Sequence, residues 1–177
     1  MTDDGIVYRG RSITVREEVA TLPGGRTVTL DVVRHPGAAA VVPFVSARDV
    51  LLIRQFRHAA GGTIWEIPAG KLDGDPPEVC ARKELEEEAG RRAGRLEKLG
   101  SIWTTPGFTD EVIHLFAAFD LEEVPQRLEE DEVIECVIRS LTEAVEMVFA
   151  GEIRDGKSAL ALLHAAHRQG LLPLVAP

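Results

Sequence analysis

The stretch KELEEEAG, Lys83 to Gly90, sets four glutamates among five residues and answers them with one lysine. Like charges three or four residues apart on a helix repel by roughly 0.2–0.5 kcal/mol per pair. A chain that accepts this cost either leaves the face in water or uses it to hold a cation. At about 100° per residue, Glu84, Glu87 and Glu88 fall within one arc. Ala81, Leu85 and Ala89 form an apolar stripe beside it, and Glu86 points elsewhere. Three carboxylates thus converge beside a packed face, and hard divalent cations such as Mg²⁺ take oxygen ligands of this kind. The alternative is a solvated acidic face, with Glu87–Arg91 and Glu88–Arg92 at ion-pair spacing. On the helix alone, both readings stand.

The helix has clear ends in the sequence. Asp75 is a good N-cap, Pro76 suits the first helical position, and Glu78 completes a capping box. Gly90 is a natural residue just past the end. Around it, ITVREEVA and RTVTLDVVRH alternate and are joined by the turn residues LPGG, which predicts a hairpin. AAAVVPFV and DVLLIRQF read as buried, paired strands, and TIWEIPAG as a further strand. Beyond the helix, RLEKLGSIWT and EVIHLFAAFDL read as strands flanking the turn cluster TPGFTD. A polar loop, PQRLEEDE, leads to the strand VIECVIR. Ser140 with Glu143 opens a second helix closed by Gly151, and SALALLHAAHRQ predicts a third ending at Gly170. The order of elements gives an α+β class.

At 177 residues the chain can bury a substantial core, and 45% hydrophobic with 28% charged residues is ordinary for a soluble protein. No apolar run approaches the roughly 20 residues of a membrane span, and the N-terminus reads as no signal peptide. Two cysteines, Cys80 and Cys136, lack metal-ligand spacing and suggest no disulfide framework, which points to a reducing cytoplasm. His164 and His167 share a helix face but have no third ligand in view. A net charge of −9 argues against a nucleic-acid polymer as partner. It also means that a polyanionic substrate needs metal ions or local arginines.

The segment GKLDGDPPEVCARKELEEEAG, Gly70 to Gly90, closely resembles the Nudix box, G-x5-E-x7-R-E-U-x-E-E-x-G-U, where U is bulky and apolar. Glu84, Leu85, Glu87, Glu88 and Gly90 match it. Lys83 stands where the box has arginine, which keeps the charge but loses the planar fork. The loop after Gly70 is one residue short, Asp75 takes the place of the first glutamate, and Arg91 replaces the final apolar residue. The resemblance implies a Nudix fold, an α/β/α sandwich with a mixed β-sheet.

Other segments resemble the ADP-ribose pyrophosphatases of that family: RQFR (54–57), WEIPAGKLD (65–73), TTPGFTDE (104–111) with Pro106 sixteen residues after Gly90, and the acidic loop LEEDEVIE (128–135). The resemblance runs from about residue 38 to 170. It implies that Glu84, Glu88 and the carbonyl of Ala69 ligate metal with Glu87 beside them, and that Glu132 closes the metal site. It implies that Glu130, with Glu132, serves the attacking water, that Arg57 holds the diphosphate, and that Glu111 contacts the terminal ribose. Glu66 lies on the strand leading to the site and joins the substrate-binding set. Trp65 and Trp103 read as core or pocket wall, and His114 as structural. Tyr8 is the only aromatic before Phe44, so nothing in the N-terminal region is an evident adenine platform.

The implied reaction is Mg²⁺-dependent (or Mn²⁺-dependent) cleavage of ADP-ribose to AMP and ribose 5-phosphate. Two alternatives remain: a pyrophosphatase for another sugar nucleotide or dinucleoside polyphosphate, and a catalytically weakened nucleotide-binding module. Residues 1–37 are expected to form an antiparallel β element that supports a homodimer, and residues 38–177 the hydrolase domain.

Overall fold

The computed structural model describes residues 5–11, 13–130 and 132–172. In chain order its elements are β1 (Ile6–Arg9), β2 (Thr14–Thr21), β3 (Thr27–Arg34), β4 (Ala38–Pro43), β5 (Asp49–Arg57), β6 (Gly62–Glu66), β7 (Ala69–Lys71), α1 (Pro77–Ala89), β8 (Arg91–Trp103), β9 (Val112–Glu123), β10 (Ile134–Ser140), α2 (Leu141–Phe149) and α3 (Gly156–Arg168). The strands make three sheets: β1-β2-β3, β10-β5-β6, and a mixed sheet β7-β4-β9-β8. In the mixed sheet β4 and β9 run parallel, and the other pairs are antiparallel.

The run AAAVVP explains the layering. Successive side chains on a strand point to opposite faces, and all six residues of β4 are buried. Ala39 and Val41 pack with Cys80, Ala81, Leu85 and Ala89 of α1. Ala38, Ala40 and Val42 pack with Leu141 and Ala144 of α2 and with Ala161, Leu162 and Ala165 of α3. β5 divides in the same way, with Leu51 and Ile53 toward α1 and Val50 and Leu52 toward the other layer. Helices therefore cover both faces of the sheet strands, which is the expected sandwich. Small residues at 81 and 89 let α1 sit close on the sheet. Leu85 supplies its largest apolar anchor, worth roughly 1.5–3 kcal/mol of burial.

Two local expectations are corrected. β4 and β5 do not pair as a ladder. They enter different sheets, and the isolated bridge Phe44–Val50 joins β5 only to the residue just past β4. An apolar run shows that a strand is buried on both faces but not which strand lies beside it. The first turn of α1 also differs. Pro76 occupies the N-cap, has extended backbone and makes no side-chain capping bond, so Asp75 is not the cap. Each residue before a proline is disfavoured in the helical region. The pair Pro76–Pro77 therefore delays the helix by one position. At the other end, Gly90 has φ of 60°, and a Cβ there would lie 2.9 Å from the Val124 carbonyl oxygen. Ser140 caps α2 as expected, accepting from the Glu143 amide at 3.1 Å.

The β1-β2-β3 sheet is fastened to the segment ahead of β9. The Val33 amide donates to the Phe108 carbonyl at 2.7 Å, and Arg34 pairs with Asp110 at 2.8 Å.

Candidate active site

Where α1, β7 and the end of β5 meet, they border a cavity of about 910 Å³. Glu84 and Glu88 line it from α1, Ala69 and Gly70 from β7, and Arg57 from β5. Glu111, Glu129, Glu132 and Lys157 close the remaining sides.

Glu88 is 1% exposed. It accepts a hydrogen bond from the Ala69 amide at 2.8 Å, so β7 fixes its position. Burial pushes its carboxyl up to about 8; the Ala69 bond opposes this, and the charges of Glu84 and Glu132 add to it. Burial likewise pushes Glu84 up to about 7, against the opposing charge of Lys83 and with added repulsion from Glu87, Glu132 and Glu129. Gly70 is needed for the fit, because a Cβ at that position would lie 2.1 Å from Glu84 Oε1. Two carboxyl groups are thus packed where ionisation is costly without a compensating cation. Their oxygens are hard donors, and the set fits a hard divalent ion. Among the described residues, no group of three or more His, Cys, Asp or Glu side chains stands at metal-holding spacing.

This arrangement has a consequence for stability. Each carboxyl has a folded pKa above its ordinary value of 4.5. Their favourable contribution is therefore complete below about pH 4.5 and is lost as pH rises through 7 and 8. In chelator, the thermal midpoint is expected to fall between about pH 5 and about pH 8.5, and a divalent cation should restore most of the loss. Thermal unfolding with and without Mg²⁺ measures this, and a metal-free profile that is flat or rises over this range would count against it.

Another part of the wall carries the positive charge, and Arg57 there is near enough to Glu88 to oppose the rise of its carboxyl. Glu66, 2% exposed, accepts from Arg57 Nε at 2.8 Å and Arg57 Nη2 at 3.0 Å. It also accepts from Lys157 Nζ at 2.6 Å. Burial raises the Glu66 carboxyl, but these two cations outweigh it and hold the group below its ordinary range. Lys157 also pairs with Asp155 at 3.0 Å, and Asp155 caps α3 through the Ser158 amide.

The residues singled out in the sequence are placed as follows. Glu84, Glu88, Ala69, Arg57, Glu111 and Glu132 border the cavity. Glu66 stands behind Arg57. Glu87 faces Lys83 at 3.7 Å and Arg127 at 3.9 Å and is not among the wall residues. In the acidic loop, Glu129 and Glu132 are on the wall, and the Glu129 amide donates to Glu132 Oε2 at 2.9 Å. Glu130 is exposed and off the wall, and Asp131 lies outside the described residues. Glu111 accepts from Thr104 Oγ1 at 2.9 Å and lies 3.3 Å from His35 Nδ1. Trp103 is exposed at the rim, whereas Trp65 packs against the core under Arg54 and Arg139.

Residues 33–161 match the family model of the NUDIX domain. The chain belongs to the Nudix family. It is 38% identical over 168 residues to the ADP-ribose pyrophosphatase of Bacillus subtilis (strain 168), across 93% of this chain and 91% of that protein. It is 36% identical over 168 residues to the methanol dehydrogenase activator of Bacillus methanolicus, with the same shares covered. A solved structure described as "Crystal structure of ADP compounds hydrolase" is similar with a TM-score of 0.80 at 21% identity, covering 94% of this chain and 93% of that one. That likeness is one of fold.

Nudix hydrolases generally use divalent metal ions, and in this chain Glu84 and Glu88 bring two carboxylates to the cavity wall. No described helix is long and apolar enough to cross a membrane. Sequence reasoning missed Lys157, Asp155, His35 and Gln55, all on the cavity wall. Asp155 was findable, since an aspartate three residues ahead of Ser158 is an N-cap signal. Gln55, buried with Oε1 lacking a hydrogen-bond partner among the described residues, left no signal in the sequence.

Proposed function

We propose that this Nudix chain is an Mg²⁺-dependent hydrolase that cleaves ADP-ribose to AMP and ribose 5-phosphate. The observation that carries the reading is the division of one cavity into a carboxylate wall, Glu84 and Glu88, and a cationic wall, Arg57 with Lys157 about Glu66. A pyrophosphate needs both: a cation to neutralise it and donors to hold it. A divalent ion held by Glu84 and Glu88, with Glu132 and the Ala69 carbonyl completing the set and Glu87 beside them, would act as a Lewis acid and lower the pKa of bound water. Arg57 binds phosphate oxygens through planar N–H donors. Glu111 accepts from the terminal ribose hydroxyls. Glu132 or Glu130, from the acidic loop, orients the water or takes its proton.

A second reading, hydrolysis of another nucleoside diphosphate derivative, is favoured by one observation. Tyr8 is exposed on β1 and absent from the cavity wall, where Trp103 and Phe56 are the aromatic residues. Lys83, half exposed and paired with Glu87, supports the third reading, a weakened binding module. Turnover on a panel of nucleoside diphosphate derivatives, with Mg²⁺, Mn²⁺ and chelator, decides among them. Metal-dependent turnover with ADP-ribose preferred is the expected result. Preference for another compound transfers the reading to that substrate. Inactivity on all of them, relieved by Lys83→Arg, selects the binding module.

We also place the protein in the cytoplasm as a homodimer joined through the β1-β2-β3 sheet. No described residue of these strands is fully buried, and Val7, Tyr8 and Val19 are more than half exposed. That leaves apolar surface for a second copy to cover.

A further inference from the structure

We infer that Lys157 is a positioning residue: by sharing Glu66 with Arg57, it keeps the wall that meets the substrate's pyrophosphate from carrying a net negative charge. This rests on the proposed reading of the cavity as a pyrophosphate site.

The geometry is that of one buried carboxylate between two cations. Glu66 Oε1 accepts from Arg57 Nε, and Oε2 accepts from both Arg57 Nη2 and Lys157 Nζ. With Arg57 alone, Glu66 would form a closed bidentate pair whose charges cancel. Such a pair attracts an anion only weakly, whatever N–H groups it still presents. Adding Lys157 makes the three side chains net +1. The second carboxylate at Lys157, Asp155, brings the four side chains to a sum of zero. It accepts from the Ser158 amide and hydroxyl at the start of α3, where the helix end, roughly half a positive charge, offsets part of its charge. Lys157 is 12% exposed at its side chain and lines the cavity, so its charge acts in a poorly solvated place where Coulomb interactions are stronger than in water. In a chain of net charge −9, removing Lys157 would leave Arg57 alone against Glu66 and Asp155 and make this wall net negative toward a polyanion.

The test uses the full chain and three variants. Lys157→Met keeps the packed stem and removes the charge. Lys157→Gln keeps an N–H donor for Glu66 without the charge. Lys157→Arg keeps both. Steady-state kinetics with ADP-ribose and Mg²⁺ should show KM raised about tenfold in the Met and Gln variants, with kcat within about threefold. The Arg variant should lie close to the parent. Binding of inorganic pyrophosphate, measured calorimetrically in chelator, should weaken by a similar factor. Unchanged KM and pyrophosphate affinity with a lower thermal midpoint would make Lys157 a structural tie only and overturn the inference. A Gln variant that behaves like the parent would also overturn it, since hydrogen bonding rather than charge would then suffice. If the Met variant does not fold, the Gln and Arg pair carries the same comparison. If the parent fails to turn over ADP-ribose but its pyrophosphate affinity still depends on the charge at 157, the substrate reading falls and the role of Lys157 stands.

Discussion

Glu88→Gln is expected to abolish metal-dependent turnover while making the metal-free protein harder to unfold. Glutamine has the shape of glutamate and keeps an oxygen to accept from the Ala69 amide. It loses the negative charge that a cation would require. Loss of a group one shell removed from a metal typically costs 10–100-fold, and loss of a direct ligand should cost more. The stability effect has the opposite sign. In chelator near neutral pH, the folded protein must either keep a proton on Glu88 or bury its charge, because burial pushes the carboxyl up to about 8. The amide carries neither cost. Measuring kcat at saturating Mg²⁺ and the thermal midpoint in chelator tests both halves. A variant that keeps full rate removes Glu88 from the metal site, and a lower midpoint at neutral pH would show that its burial is not a liability.

Gly70→Ala is expected to separate folding from function in a different way. The new methyl carbon would lie 2.1 Å from Glu84 Oε1 and within 2.6 Å of its other oxygen. The strand cannot retreat, because β7 is paired with β4 through Ala39–Gly70. The carboxylate is the movable party, so Glu84 swings out of place and the fold survives at a cost of about 1–3 kcal/mol. The concentration of Mg²⁺ giving half-maximal rate should rise at least about tenfold, within the range expected when a supporting shell is disturbed. Titrating activity with metal checks this, and an unshifted midpoint would show that Glu84 does not ligate from its present position.

What the sequence made legible was local. The acidic arc, the apolar stripe of α1, the Gly90 terminus and the Ser140 cap each depend on residues within a few positions of one another. Helical geometry turns their spacing directly into direction. The limits of this reasoning show in Glu87 and Glu88. The wheel puts both on the acidic side, but only packing against β7 draws Glu88 inward and leaves Glu87 facing Lys83 and Arg127. The partners of β4 and β5 were not legible, because an apolar run records burial on two faces and not neighbours. Arg57 and Glu66 were named from the resemblance, but Lys157 was not legible: Lys157 and Glu66 are 91 residues apart. Neither sits in a periodic pattern that implies the other.

The bond between Glu66 and Lys157 also sets an order of assembly. Synthesis proceeds from the N-terminus, so the carboxylates of α1 and the guanidinium of Arg57 leave the ribosome well before α3. Until α3 docks, Glu66 has one counter-charge in a place built for two. A chain halted before residue 157 would already possess every residue of the Nudix box, Arg57 and Glu66, and still lack the second cation on Glu66. On the proposed reading, α3 is thus the element that completes the cationic wall of a site whose carboxylates come from α1.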